Sequence, residues 1–205
     1  MARRTLLAIA GIGVLLVGTC AVTGTSLVPV QVALGPFLMD WTSPSTYKPR
    51  VSPLATVRAP LGDGALELCY SRPIARGRQV FGGLVPYGAP WRLGANEPTR
   101  LYVNRPVQLG DVRLEPGRYS LYVTPDSAHW QFHVSRSVLH WGNDISAAVQ
   151  AREVGRLTVP VEPLAQPVDS FTIRAEPGPG DGLRLVFEWE QTRAALELHP
   201  ASPDR

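Results

Sequence analysis

Lysine is nearly missing from this chain: Lys48 stands alone among twenty basic residues, and the other nineteen are arginine. No basic run or RNA-binding signature accompanies them, so a pI of about 9.1 gives no ground for a nucleic-acid partner. Cysteine is scarce too. Cys20 lies in an apolar run, which leaves Cys69 without a partner in the rest of the chain and excludes a disulfide there. Cys69 sits in a strand-like segment with no histidine near it in sequence, the pattern of a small buried apolar residue rather than a nucleophile. No Gly-x-Ser-x-Gly elbow, P-loop or dinucleotide fingerprint occurs, so no catalytic residue is assigned and no cofactor is implied. Charged residues make up only 18% against 44% hydrophobic, which fits a globular core rather than disorder. With 19 glycines and 20 prolines in 205 residues, short strands and turns are expected instead of a helical bundle.

The first residues carry the clearest signal. Arg3 and Arg4 precede an uncharged apolar run from Leu6 to Val22. Extended to Thr25 it is about 20 residues, enough to span ~30 Å of hydrocarbon. Three fates are open for residues 1–25: a retained signal anchor, a signal peptide cleaved after Ala21, or lipidation at Cys20. Each exports the remainder of the chain, because the basic residues lie only on the short leading side. The expected location is therefore extracytoplasmic, membrane-anchored or secreted. Residues 26–50 are assigned to a proline-rich linker, and the linker character continues through Pro53 to Pro60.

From there short alternating runs follow one another. Ala65–Ser71, Thr99–Asn104, Arg118–Thr124 and Trp130–Ser135 read as strands, and Val107–Leu114 as a hairpin about Gly110-Asp111. Gly155–Val161, Ser170–Glu176, Leu183–Glu190 and Arg193–Leu198 read as four more, while Asp144–Arg152 alone looks helical. The spacing predicts an all-β domain over residues 51–199. Its expected form is a single antiparallel β-sandwich, jelly-roll or immunoglobulin-like, behind an N-terminal apolar helix and before a tail at 200–205.

Basic character concentrates between Tyr70 and Arg100, where the net charge is +4 against +3 for the whole chain. Arg72, Arg76, Arg78 and Arg92 fall on glycine- and proline-rich segments, where planar guanidinium forks suit carboxylate, phosphate or sulfate. Tyr87 and Trp91 add flat faces that stack on sugars or on arginine itself. Asn96 and Glu97 complete a candidate site for an anionic or polyhydroxylated small ligand. The competing reading is that the same arginines brace their own loops through backbone carbonyls, leaving a structural or partner-binding domain. A hydrolase is the third possibility, and it requires a base and a nucleophile within hydrogen-bond reach.

The segments YSRPIARGR, FGGLVPYG, WRLGANE, EPGRYSLY and FEWEQT resemble a bacterial family known only as a domain of unknown function, number 2911. The likeness covers most of Val51 to His199 and implies an exported β-rich domain without implying an activity. The chain departs from the family pattern after Trp141-Gly142, where members commonly carry an aromatic and an acid and this sequence has Asn143-Asp144-Ile145-Ser146.

Two further groupings carry less. His129 and His133 are four apart where Trp130, Phe132 and Val134 alternate as in a strand. Their Cα atoms would then lie ~13 Å apart, too far for one metal ion, and no metal site is assigned. Glu188 and Glu190 flank Trp189 on one strand face at ~6.6–6.8 Å. That spacing falls in the range of glycosidase carboxylate pairs, but acid–apolar–acid alternation is the mark of a solvated strand face.

Overall fold

The computed structural model describes residues 51–142 and 144–201. The apolar segment 1–25, the linker 26–50 and residues 202–205 of the tail lie outside the described residues. Nine strands follow in chain order: β1 (Leu54–Leu61), β2 (Gly64–Ser71), β3 (Thr99–Val103), β4 (Val107–Leu109), β5 (Val112–Leu114), β6 (Gly117–Pro125), β7 (His129–Ser135), β8 (Glu153–Pro177) and β9 (Leu183–Pro200). They form one antiparallel sheet in the order β1-β2-β3-β6-β7-β8-β9-β4-β5. No helix among the described residues is long and apolar enough to cross a membrane.

Three expectations from the sequence need correcting. The proline-bearing stretch up to Pro60 is not all linker: Leu54–Leu61 is an edge strand paired with β2 from Leu54↔Ser71 to Leu61↔Gly64. An edge position tolerates Pro60 because no ladder donor is required on the open side. The four strands expected after Gly155 are two long ones. β8 gives its first part to β7 and its later part to β9, with register shifts between Pro163 and Thr172. Its prolines thus fall where the strand changes partners, and the chain stays extended through them. The expected helix shrinks to a single turn, α1 (Ala147–Gln150), whose cap residue Ser146 makes no side-chain capping bond.

Alternation decides which side chains meet. Residues of β2, β7, β8 and β9 send rings into one core: Tyr70 packs on Phe171 at 5.7 Å, and Phe132 on Phe187 at 5.0 Å. Around Trp130, which is fully buried, gather Phe81, Trp91 and Phe132. Trp91 also stacks on Trp189 at 5.6 Å with the planes 23° apart. These offset and edge-on arrangements are the favourable ones for aromatic quadrupoles.

The acids flanking Trp189 do not form a solvated pair. Glu188 is buried and takes two bonds from Arg174, at 2.5 and 2.9 Å. Glu190 has φ 52° and accepts the backbone N–H of Val80 at 3.0 Å. Alternation alone assigns these acids to water, whereas Arg174 and the Val80 backbone occupy them here.

Trp130→Ala is expected to cost about 3–5 kcal/mol of unfolding free energy, measured by denaturant titration. A loss under ~1 kcal/mol would mean that these rings are not the packed centre.

Candidate functional site

The eight residues proposed from the sequence go to several places. Arg72 donates to the Phe171 carbonyl at 3.3 Å and to Thr172 Oγ1 at 3.0 Å, tying the chain after β2 to β8. Arg78 donates to the carbonyls of Ala75 and Ile74, both at 2.8 Å, and so braces its own turn. Arg76 is exposed with φ 54°, and its backbone N–H reaches Asp169 Oδ1 at 2.9 Å. Tyr87 is 47% exposed against Gly82. Trp91 belongs to the core and pairs with Val123 through two backbone bonds. Only Arg92, Asn96 and Glu97 stay together.

Those three lie on a tight loop between Trp91 and β3. Leu93 and Asn96 hold left-handed φ values of 57° and 58°, the kind of local strain that a surrounding structure must over-determine. Gly94, at φ 155°, lets the loop press against β2: a Cβ there would stand 3.0 Å from the Ser71 carbonyl oxygen. Thr99 Oγ1 donates to the Leu93 carbonyl at 2.6 Å. Glu97, 3% exposed, accepts from Ser71 Oγ at 3.1 Å. Burial lowers the Arg92 guanidinium from its ordinary value and the charge of Glu97 opposes that shift. Arg92 Nε is buried with no acceptor among the described residues. Gly142 seats on this loop. A Cβ there would fall 2.2 Å from the Asn96 carbonyl oxygen and 2.5 Å from Arg92 Cδ, so the Trp141-Gly142 segment is pinned to it.

Next to the loop runs a polar row across one face of the sheet: Cys69, Arg100, Ser120 and Ser135 stand side by side in register. Ser135 Oγ donates to the Val149 carbonyl at 2.9 Å, which fastens α1 over this face. Arg118, two residues before Ser120 on β6, shares that face. Beside it opens a cavity of about 410 Å³ lined by Arg118, Arg136, Ser137, His140 and Arg152, with Val138 and Leu139. No carboxylate lines it. Arg136 is held over the Tyr119 ring at 5.6 Å, and its backbone N–H reaches the Arg152 carbonyl at 2.9 Å. Burial pushes His140 below its ordinary range, against opposing contributions from Ser137 and Asp144. Its Nδ1 lies 3.1 Å from Ser137 Oγ.

A second polar cluster occupies β6 to β8. Glu153 is bonded by Tyr122 and Arg156. His133 Nδ1 lies 3.3 Å from Glu153 but off the line of a hydrogen bond. His133 stacks on Tyr122 at 4.4 Å, and its Nε2 is 3.1 Å from Thr124 Oγ1. A hydroxyl and an imidazole are thus in reach of each other, yet His133 is only 5% exposed and neither residue lines the arginine cavity. Burial lowers the His133 pKa, and Glu153 only partly restores it. Among the described residues no three of His, Cys, Asp or Glu gather closely enough to hold a metal ion.

Sequence reasoning missed Arg118, Arg136, His140 and Arg152 as a group. Arg118 was present in EPGRYSLY, but nothing in spacing links it to Arg152, 34 residues on. The chain belongs to the family described as Protein of unknown function (DUF2911), whose model matches residues 52–198. No curated protein and no solved structure matches the chain.

His133 and His140 both have folded pKa values below the unfolded 6.5. The unfolded chain therefore binds more protons just below that value, and stability is expected to fall as pH drops from neutral through about 6.5. Urea unfolding at a series of pH values measures this, and His133→Gln should flatten the slope. Stability that is level across this range would contradict it.

Proposed function

We propose that this protein is a binding module for a small anionic ligand, displayed outside the cytoplasm behind the apolar segment 1–25. The ligand carries a phosphate, sulfate or carboxylate group and sits in the cavity of Arg118, Arg136, Ser137, His140 and Arg152. One observation carries the reading: a concave site whose ionisable lining is three arginines and a histidine, with no acid among them. Like charges brought together around a hollow repel one another, and an anion in the hollow relieves that repulsion. Guanidinium forks match the oxygens of such a group in pairs. Arg92 and Glu97 contribute from the adjacent loop by fixing Gly142 and hence the segment that carries His140. The packing of Tyr70 on Phe171 and of Phe132 on Phe187 supports reading the sheet as a sandwich, with this site on an outer face.

A specific observation favours bracing for two of the arginines between Tyr70 and Arg100. Arg72 and Arg78 spend their donors on carbonyls and a hydroxyl of this chain. These two belong to the scaffold, and the ligand site lies elsewhere. The hydrolase reading has the Thr124–His133 contact in its favour, but His133 is only 5% exposed and neither residue lines the arginine cavity.

The two roles separate by thermal denaturation with inorganic phosphate, sulfate and a neutral sugar. At ~100 times Kd a ligand adds about 2.7 kcal/mol, so phosphate should raise the wild-type Tm by several degrees and the sugar should not. Arg152→Gln should remove at least half of that rise while leaving the unliganded Tm nearly unchanged. Arg72→Ala should instead destabilise the unliganded protein by about 1–3 kcal/mol, lowering its Tm, and keep the phosphate response. An undiminished phosphate shift in Arg152→Gln would move the site away from this cavity.

A further inference from the structure

The loop that rims the arginine cavity carries an apolar pair the anion reading leaves unused. Leu139 is 75% exposed, the highest value among the exposed large hydrophobic residues of the described chain, and Trp141, two residues on, is 43% exposed. This exposure belongs to a held loop. Ser137 is bonded to Ser135 Oγ through its backbone at 3.1 Å and to His140 through its hydroxyl. Gly142 is seated against Asn96 and Arg92. Between these fastenings Leu139 and Trp141 stand exposed, Leu139 on the rim it shares with Arg118, Arg136 and Arg152.

We propose that this surface rests on an anionic phospholipid bilayer: the arginines take a headgroup phosphate, and Leu139 and Trp141 enter the interface beside it. The inference deepens the anion-binding reading and rests on it. Charge complementarity argues for this occupant. Between Arg136 and Arg152 the sequence holds one acid, Asp144, beside His140. The next carboxylate, Glu153, is already engaged by Tyr122 and Arg156, and Glu115 by Arg113. Arginine and an exposed leucine on one rim suit a surface that is negative outside and apolar just beneath, and tryptophan favours the boundary between the two. A soluble anion would fill the cavity and leave Leu139 and Trp141 in water.

Hydrogen exchange of the full-length chain at the amides of residues 137–142 tests this. The chain is probed with phosphatidylglycerol vesicles, with phosphatidylcholine vesicles and with inorganic phosphate. Both vesicles offer the same hydrocarbon to the apolar segment 1–25, so a difference at 137–142 reports the headgroup. Phosphatidylglycerol is expected to slow exchange there by about fivefold or more, the size of one arginine–headgroup contact, and phosphatidylcholine to have little effect. Trp141→Ser should lose the vesicle effect and keep the response to inorganic phosphate, Leu139→Ser should also lose the vesicle effect, and Arg152→Gln should lose both. Equal protection by the two vesicles, or vesicle protection that survives both Trp141→Ser and Leu139→Ser, overturns the lipid inference. A phosphate response without any phosphatidylglycerol effect refutes it and leaves the anion cavity standing. If neither probe slows exchange, both readings fall.

Discussion

A carboxylate cannot be buried without being answered where it lies, and Glu97 sets that demand on this fold. It is almost fully enclosed, with Ser71 bonded to it and its charge felt at Arg92 and Arg100. An uncompensated charge at that depth would cost several kcal/mol, so the loop from Trp91 to β3 has few alternative conformations. Its left-handed residues Leu93 and Asn96 are tolerated because that compensation holds them. Trp91 at the near end is fixed in the aromatic core, and Thr99 at the far end begins a central strand. The loop is consequently a firm floor on which a second, distant segment can be laid.

That second segment is Ser137 to Gly142. Gly142 meets the loop where no side chain would fit, and Ser135 and Val149 close the other side. The arginine cavity is the gap left between this cover and the sheet. Its positive walls come from β6, from the residue just after β7 and from the second residue after α1. Such a site needs no charged residue in regular spacing. It needs only that the cover be held at a fixed height above the strands, and buried polar contacts do that.

The polar clusters differ in the signs of the charges they bring together. Around Glu153 the carboxylate takes bonds from Tyr122 and Arg156, and Tyr122 is raised by burial and by the carboxylate it donates to, which suits a structural network. Around the cavity the lining charges are of one sign, and Arg92 Nε nearby is buried without an acceptor among the described residues. A satisfied network rigidifies, whereas a one-signed hollow is stabilised further by a ligand.

Local alternation and turn chemistry sufficed for the strands β2 to β7 and the β4–β5 hairpin, because those signals depend on residues two to four apart, and the family followed from the resemblance of whole segments. WRLGANE stood out through the family resemblance and as the source of Arg92, Asn96 and Glu97, not through alternation. What alternation could not give was the fate of each arginine. Arg72 and Arg78 look the same in sequence as Arg136 and Arg152, yet the first pair meets carbonyls and the second lines a hollow. β8 was misread as two strands because Pro163 and Pro167 signal a break locally, and β9 because alternation lapses at Gln191-Thr192, while the continuity of an extended chain is decided by which neighbour it pairs with next. Glu188 and Glu190 were assigned to water because a strand has two faces in sequence, and only packing says whether both are covered. Sequence thus specified elements and their inward faces; the convergence of Arg118, Arg136 and Arg152 was set by long-range strand pairing, which no short-range pattern encodes.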